Sequence, residues 1–172
     1  AAIKQRYDAL LERVLRPGNE ALARGDAAAA VELVQSTEAV LANEPAWQLL
    51  KAKANDAQKT AAQRARVAQV VATLDAQLAA GKLEAPAGDN AQETLAQARA
   101  LAPDAAEVVQ RQDALALAFV QRAQAELASN RPEAALTDAN LALSIKPGLV
   151  GAQDVKRRVE GQLSADRARV LE

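Results

Sequence analysis

Any chemistry in this chain has to come from carboxylates, Lys, Arg, one Tyr and hydroxyls, because its 172 residues include no His, Cys or Met. That composition removes thiol nucleophiles, imidazole bases and the soft metal ligands together. Acyl-transfer triads, zinc sites and haem ligation go with them. Carboxylate pairs for acid–base work remain, and Asp75 with Glu84 or Asp104 with Glu107 are examples. Neither pair has a sequence context that would raise a pKa, so capping and solvation explain them better than catalysis. The expectation is a protein that is not an enzyme and uses no cofactor and no metal.

Binding chemistry has more material. The run from Gly81 to Asn90, with two Gly and a Pro, could turn backbone N–H groups towards an anion at a helix start, although it lacks the Gly-Lys-Ser/Thr ending of a phosphate loop. An ordinary long turn with an N-cap is the plainer reading. Lys51, Lys53, Lys59, Arg64 and Arg66 form a basic run interrupted by Asp56 alone, and Glu20, Asp26, Glu32, Glu38 and Glu44 precede it. Pairing between the two, or a solvated face, competes with capture of an acidic partner. Lys156, Arg157 and Arg158 admit the same alternatives. Trp47 reads as a packing anchor beside Pro45 or as a stacking surface for a ligand. Tyr7 and Phe119 fall on apolar faces and are expected in the core.

The elements that position these residues are helices. Half of the chain is apolar and mostly Ala, Leu and Val, with 2% aromatics, a composition that favours helix over strand. Ile3, Tyr7, Leu10, Leu11 and Val14 define a first helix, with a kink or restart expected at Pro17-Gly18. Gly25-Asp26 stops it and caps a second helix, Ala27 to about Asn43. Pro45 opens a third that runs to Ala80 with roughly heptad spacing from Leu50 to Leu78, a rod of about 50 Å. The N-terminal hairpin or a second copy of the chain has to cover its first half. After the Gly81–Asn90 loop, Asp89 with Gln92 or Asn90 with Glu93 caps a fourth helix, Ala91 to about Leu101. Pro103-Asp104 with Glu107 starts a fifth that reaches Ser129. A sixth spans Pro132 to Ser144, and a seventh runs from about Pro147 to Val170 as a cap over the last hairpin.

The stretch Ala114 to Pro147 reads most clearly: two antiparallel helices with small residues, Ala123, Ala135 and Ala142, where they must approach, and a closing Pro. Ala91, Ala98 and Pro103 fall at the same offsets in the middle hairpin, and Gly25, Ala30 and Pro45 mark the first more loosely. This pattern resembles the tetratricopeptide repeat, with Phe119 and Ala123 in its large and small places. The first unit is three residues too long, the second about five too long, and helix three exceeds a repeat helix. Separately, Gly81, Leu83, Pro86, Gly88, Asp89, Asn90 and Ala91, in the order G-x-L-x-x-P-x-G-D-N-A, resemble a segment of bacterial envelope proteins, among them the extracytoplasmic domains of membrane-anchored Ser/Thr kinases. That likeness implies a periplasmic sensory or docking domain.

The expected fold is all-α: a divergent array of about seven helices in one domain, 1–170. Its hairpins would span about 1–44, 46–102 and 104–146, with a capping helix at 147–170 and a cloning remnant at Leu171-Glu172. The expected role is non-catalytic protein interaction or sensing in the periplasm, with an inner-membrane anchor outside this segment. The alternatives are a dimerisation rod or envelope-assembly scaffold, and after those a carboxylate-dependent enzyme. A peptide or helix, or else a small envelope ligand, would lie in a groove lined by Val71, Asp75, Leu78, Val120, Gln124 and Leu127, unless the terminal helix fills it. A net charge of −1 argues against nucleic acid, and no run of about 20 apolar residues spans a bilayer.

Overall fold

The structure, a computed structural model, describes residues 2–170, with side chains as far as Ala165; the Leu171-Glu172 reading lies outside the described residues. Among the described residues seven helices follow one another: α1 (Ala2–Ala23), α2 (Ala27–Leu41), α3 (Pro45–Ala79), α4 (Ala91–Leu101), α5 (Ala106–Ala128), α6 (Pro132–Ile145) and α7 (Val150–Val170). No strand occurs among the described residues.

Three helix ends are built alike. After α1, α3 and α5 a residue with positive φ, respectively Gly25, Gly81 and Asn130, turns the chain. In each case the next amide reaches back five residues: Asp26 N to Ala21 O (2.8 Å), Lys82 N to Gln77 O (2.9 Å) and Arg131 N to Glu126 O (2.9 Å). This is the Schellman arrangement, which satisfies carbonyls the last helical turn leaves open. The helices that follow each end just before a Pro: Pro45, Pro103 and Pro147.

Three boundaries differ from the sequence expectation. Helix α1 runs without a break through Pro17. Helix α5 starts at Ala106 with Ala105 as an N-cap that offers no side-chain bond, because residues 102–105 close a turn (Ala105 N to Ala102 O, 3.3 Å) and Asp104 is spent inside it. Pro147 and Gly148 form another turn, with Gly148 at φ +85°, so α7 begins at Val150.

Contacts divide the chain into two compact units, Ala1–Arg66 and Val67–Glu172, and the division falls inside α3. Residues 58–66 are all exposed there. The first unit holds α1, α2 and the first half of α3. Its core is Leu15, Ala21, Ala30, Val34, Trp47, Leu50 and Ala54. Trp47 is buried and its indole N–H donates to Thr37 Oγ1 at 2.9 Å, so it ties α3 to α2 as an anchor. Gly18 allows the close approach: a Cβ there would stand 2.7 Å from Leu33 Cδ2 and 2.9 Å from Leu50 Cδ2.

The second unit packs the rest of α3 with α4 to α7. One cluster joins Val67, Val71 and Leu74 to Leu95, Ala98, Leu115, Phe119, Val120 and Ile145. Another joins Ala123, Ala135 and Ala139 to Val155 and Val159. Ala123, Ala135 and Ala142 are completely buried, as side chains at a close helix approach must be.

Candidate functional site

The expected groove residues all lie in the second unit, and most are structural. Val71 and Val120 are buried in its core, and Leu78 packs against the same cluster. Leu127 packs on the cluster that includes Val155 and Val159 of α7. A Cβ on Gly151 of α7 would come within 3.2 Å of Val120 Cγ1, so α7 covers α5 at that point. Asp75 is exposed, but its carboxylate takes two hydrogen bonds from Arg111, Nε to Oδ1 at 2.9 Å and Nη2 to Oδ2 at 2.8 Å. Those bonds hold its pKa below the ordinary Asp value and raise that of Arg111. Gln124 alone stays open, on a shallow surface depression with Gly151, Asp154 and Arg158. The structure does not bring the six together as one accessible surface.

Glu84, the other half of one candidate acid pair, belongs to a different arginine. Arg122 donates through Nε to Asp138 Oδ2 (2.7 Å) and through Nη2 to both Asp138 Oδ1 (2.5 Å) and Glu84 Oε1 (2.7 Å). Asp138 is only 4% exposed, and the Arg122 pKa is raised chiefly by its bonds to Asp138 and secondarily by Glu84. This cluster fastens α5, α6 and the Gly81–Asn90 loop. Among the described residues no three carboxylates gather closely enough to hold a metal ion.

The Gly81–Asn90 loop is closed on itself. Asn90 is the N-cap of α4: its Oδ1 accepts from Glu93 N (3.0 Å) and its Nδ2 donates to Pro86 O (3.0 Å). Glu93 reaches back to Gly88 N at 2.8 Å, a variant of the capping box. Ala91 N and Gln92 N bond to Lys82 O and Leu83 O. The amides that would meet an anion at the start of α4 are therefore already used. Asp89 adds a carboxylate there, its pKa lowered by hydrogen bonds from Lys82 and then Gln77. Both partners lie within reach, Lys82 Nζ at 2.5 Å and Gln77 Nε2 at 3.0 Å.

Of the basic run on α3, Lys51 meets Glu38 at 2.6 Å and lies 4.9 Å from the Trp47 ring centre, whereas Lys53, Lys59, Arg64 and Arg66 make no ion pair among the described residues. Most heptad positions of α3 are occupied within the chain, Leu50 and Ala54 in the first unit, Val67, Val71 and Leu74 in the second, while Ala61 between them is exposed.

Large apolar side chains are exposed in both units, Val109, Leu117 and Val150 in the second, but in the first most of them form a stripe along one helix. Tyr7, expected in the core, is 47% exposed, and its hydroxyl donates to Glu44 Oε1 at 2.5 Å. Ile3, Leu10 and Val14 are exposed along the same stripe of α1. Helix α1 has 22 residues and α2 only 15, so with the tight turn at Gly25 about 10 Å of the α1 N-terminal end outruns its partner. On another side of α1, a groove of about 550 Å³ runs between α1 and the start of α3. Its floor is Leu11, Leu15 and Leu50, its α3 wall is Leu49, and Asp8 and Glu12 stand on its α1 rim. Leu49 is 57% exposed while its neighbour Leu50 is buried.

None of the groove residues belongs to the set expected from sequence. The one signal for them is the Leu49-Leu50 pair: adjacent helical residues point about 100° apart, so one of two leucines flanking a core must turn away from it.

Comparison with family models, curated proteins and solved structures finds no match for this chain. Among the described residues no helix is long and apolar enough to cross a membrane.

Proposed function

We propose that the chain is a non-catalytic interaction domain that docks an apolar helix or peptide face in the α1–α3 groove of its first unit. The observation that carries this is the groove itself, a leucine-floored trough whose α3 wall, the large side chain of Leu49, is left 57% exposed. Exposed apolar surface of this kind, rimmed by polar groups, is what an amphipathic partner buries. We read the second unit as the support, in a divergent tetratricopeptide-like arrangement. The recurring helix ends at Gly25, Gly81 and Asn130 and the Pro after each second helix favour that reading.

Amide chemical shifts test the docking reading. A neutral peptide of Leu, Ala and Gln with one apolar helical face, titrated into the labelled protein, is expected to shift Leu11, Leu15, Leu49 and Leu50. The variant Leu49→Glu loses that response while its stability changes by no more than about 0.5 kcal/mol. Shifts confined to α5 to α7 would remove the assignment. The wider setting we propose, the periplasmic part of a membrane-anchored signalling protein, rests on the likeness of Gly81–Ala91 alone. A hydrophobic span encoded upstream of Ala1 supports it, and a gene without one discards it.

A further inference from the structure

We propose that the natural occupant of the α1–α3 groove is an amphipathic α-helix of a partner protein with lysines or arginines along the edge that meets Asp8 and Glu12. This rests on the docking reading above and adds the form and charge of the partner.

Backbone hydrogen bonding selects the form. Both walls are helices, and their mid-helix N–H and C=O groups are bonded internally, so an extended peptide lying here would bury its own polar backbone without partners. A helix arrives with those groups satisfied. Length agrees: the lining runs along α1 from Asp8 to Ala23, about 22 Å, which accommodates about four helical turns.

Two unpaired acids select the charge. Asp8 and Glu12 lie one turn apart on α1, both exposed, and among the described residues neither has an ion pair or side-chain hydrogen bond. Glu20, further along, is already engaged by Arg16 at 3.7 Å. Like charges at a four-residue spacing weaken their own helix slightly, and a cation between them removes that repulsion. Beside a leucine floor the attraction is screened less than on an open face.

A second copy of this chain is the competing occupant, since Ile3, Tyr7, Leu10 and Val14 form an apolar stripe on α1 with Arg6 and Arg13 along one edge. Inserting that stripe into a neighbour's groove is a head-to-tail contact between different surfaces. Such contacts propagate into open chains unless they happen to close, whereas a partner helix fills the groove once.

Two labelled peptides about four turns long, with identical leucine faces and either Lys or Glu edges, separate the outcomes when titrated into the full chain by fluorescence anisotropy. The Lys-edged peptide is expected to bind about ten-fold tighter at low salt, the effect of two exposed ion pairs in a partly apolar setting. The double variant Asp8→Lys/Glu12→Lys, with helicity checked by circular dichroism, is expected to reverse the preference. Equal binding of both peptides overturns the charge assignment and leaves docking standing. Failure of both to bind, or binding indifferent to Leu49→Glu, overturns docking itself. Concentration-dependent self-association in sedimentation that Leu49→Glu abolishes assigns the groove to a second copy and overturns the partner proposal.

Discussion

The two units treat their surfaces in opposite ways. In the second, charged side chains that face a neighbouring helix are mostly tied down: Arg111 to Asp75, Arg122 to Asp138 and Glu84, and Lys146 to Asp113 at 2.8 Å. Even the loop between α3 and α4 bonds its own amides. In the first, Lys51–Glu38 is the one ion pair between helices among the described residues, and Ile3, Leu10, Val14 and Leu49 remain in contact with solvent. The second unit also exposes Val109, Leu117 and Val150, so the contrast lies in how its charges are paired and not in a lack of exposed apolar side chains. A unit that leaves leucines beside free acids has surface to give to something else.

The sharpest way to break this comparison is at Trp47. The first unit has a small core with one aromatic, and truncating a buried Trp costs about 3–5 kcal/mol. Trp47→Ala also strips Thr37 of its indole donor. Hydrogen exchange is the measurement, because it reports each unit separately. Protection is expected to be lost across α1, α2 and the first half of α3 and retained in α5 and α6. Equal loss in both units would show that the first unit's small core is not what limits it.

A smaller effect is expected at Arg122. Arg122→Met keeps most of the aliphatic stem but leaves the Asp138 carboxylate, 4% exposed, without its two hydrogen bonds. A fully buried broken pair costs about 3–5 kcal/mol; with Arg122 a third exposed, about 2 kcal/mol is expected in urea unfolding. The double variant Arg122→Met/Asp138→Leu should recover much of it, since the cost lies in the stranded charge. If the single variant is neutral, the second unit's ion pairs are ornament and its contrast with the first weakens.

How much of this was legible beforehand follows the range of the interactions. Helix identity and most ends are local: Ala-rich segments favour helix, and Gly25, Gly81 and Asn90 act within a few residues of themselves. Asp104 shows the limit even there, because a cap depends on which residue the turn places at the helix start. The site was not local. That Tyr7 would be half-exposed depends on α2 being shorter than α1, and that Leu49 would face outward depends on where α1 packs. Val71 and Val120 were legible as apolar face positions, but whether such a face lines a groove or a core depends on distant elements; for Val120 one of them is α7, whose Gly151 packs against it.

The smallest expected effect tests the electrostatic side of the comparison. The Arg111 hydrogen bonds hold Asp75 below the ordinary carboxylate range, whereas an unfolded Asp titrates near about 3.9. A carboxyl with a depressed folded pKa stabilises the fold fully above its unfolded value and loses that contribution as the pH falls through the folded one. Wild type is therefore expected to exceed Asp75→Asn in stability at neutral pH by less than about 1 kcal/mol, since the pair is partly exposed and screened by solvent. The difference should shrink progressively below about pH 4 as the carboxyl protonates. Paired urea titrations from pH 7 downward measure it. A difference that stays constant into acid would mean that Asp75 acts through neutral hydrogen bonding or packing, and Arg111 would then hold α5 to α3 without help from charge.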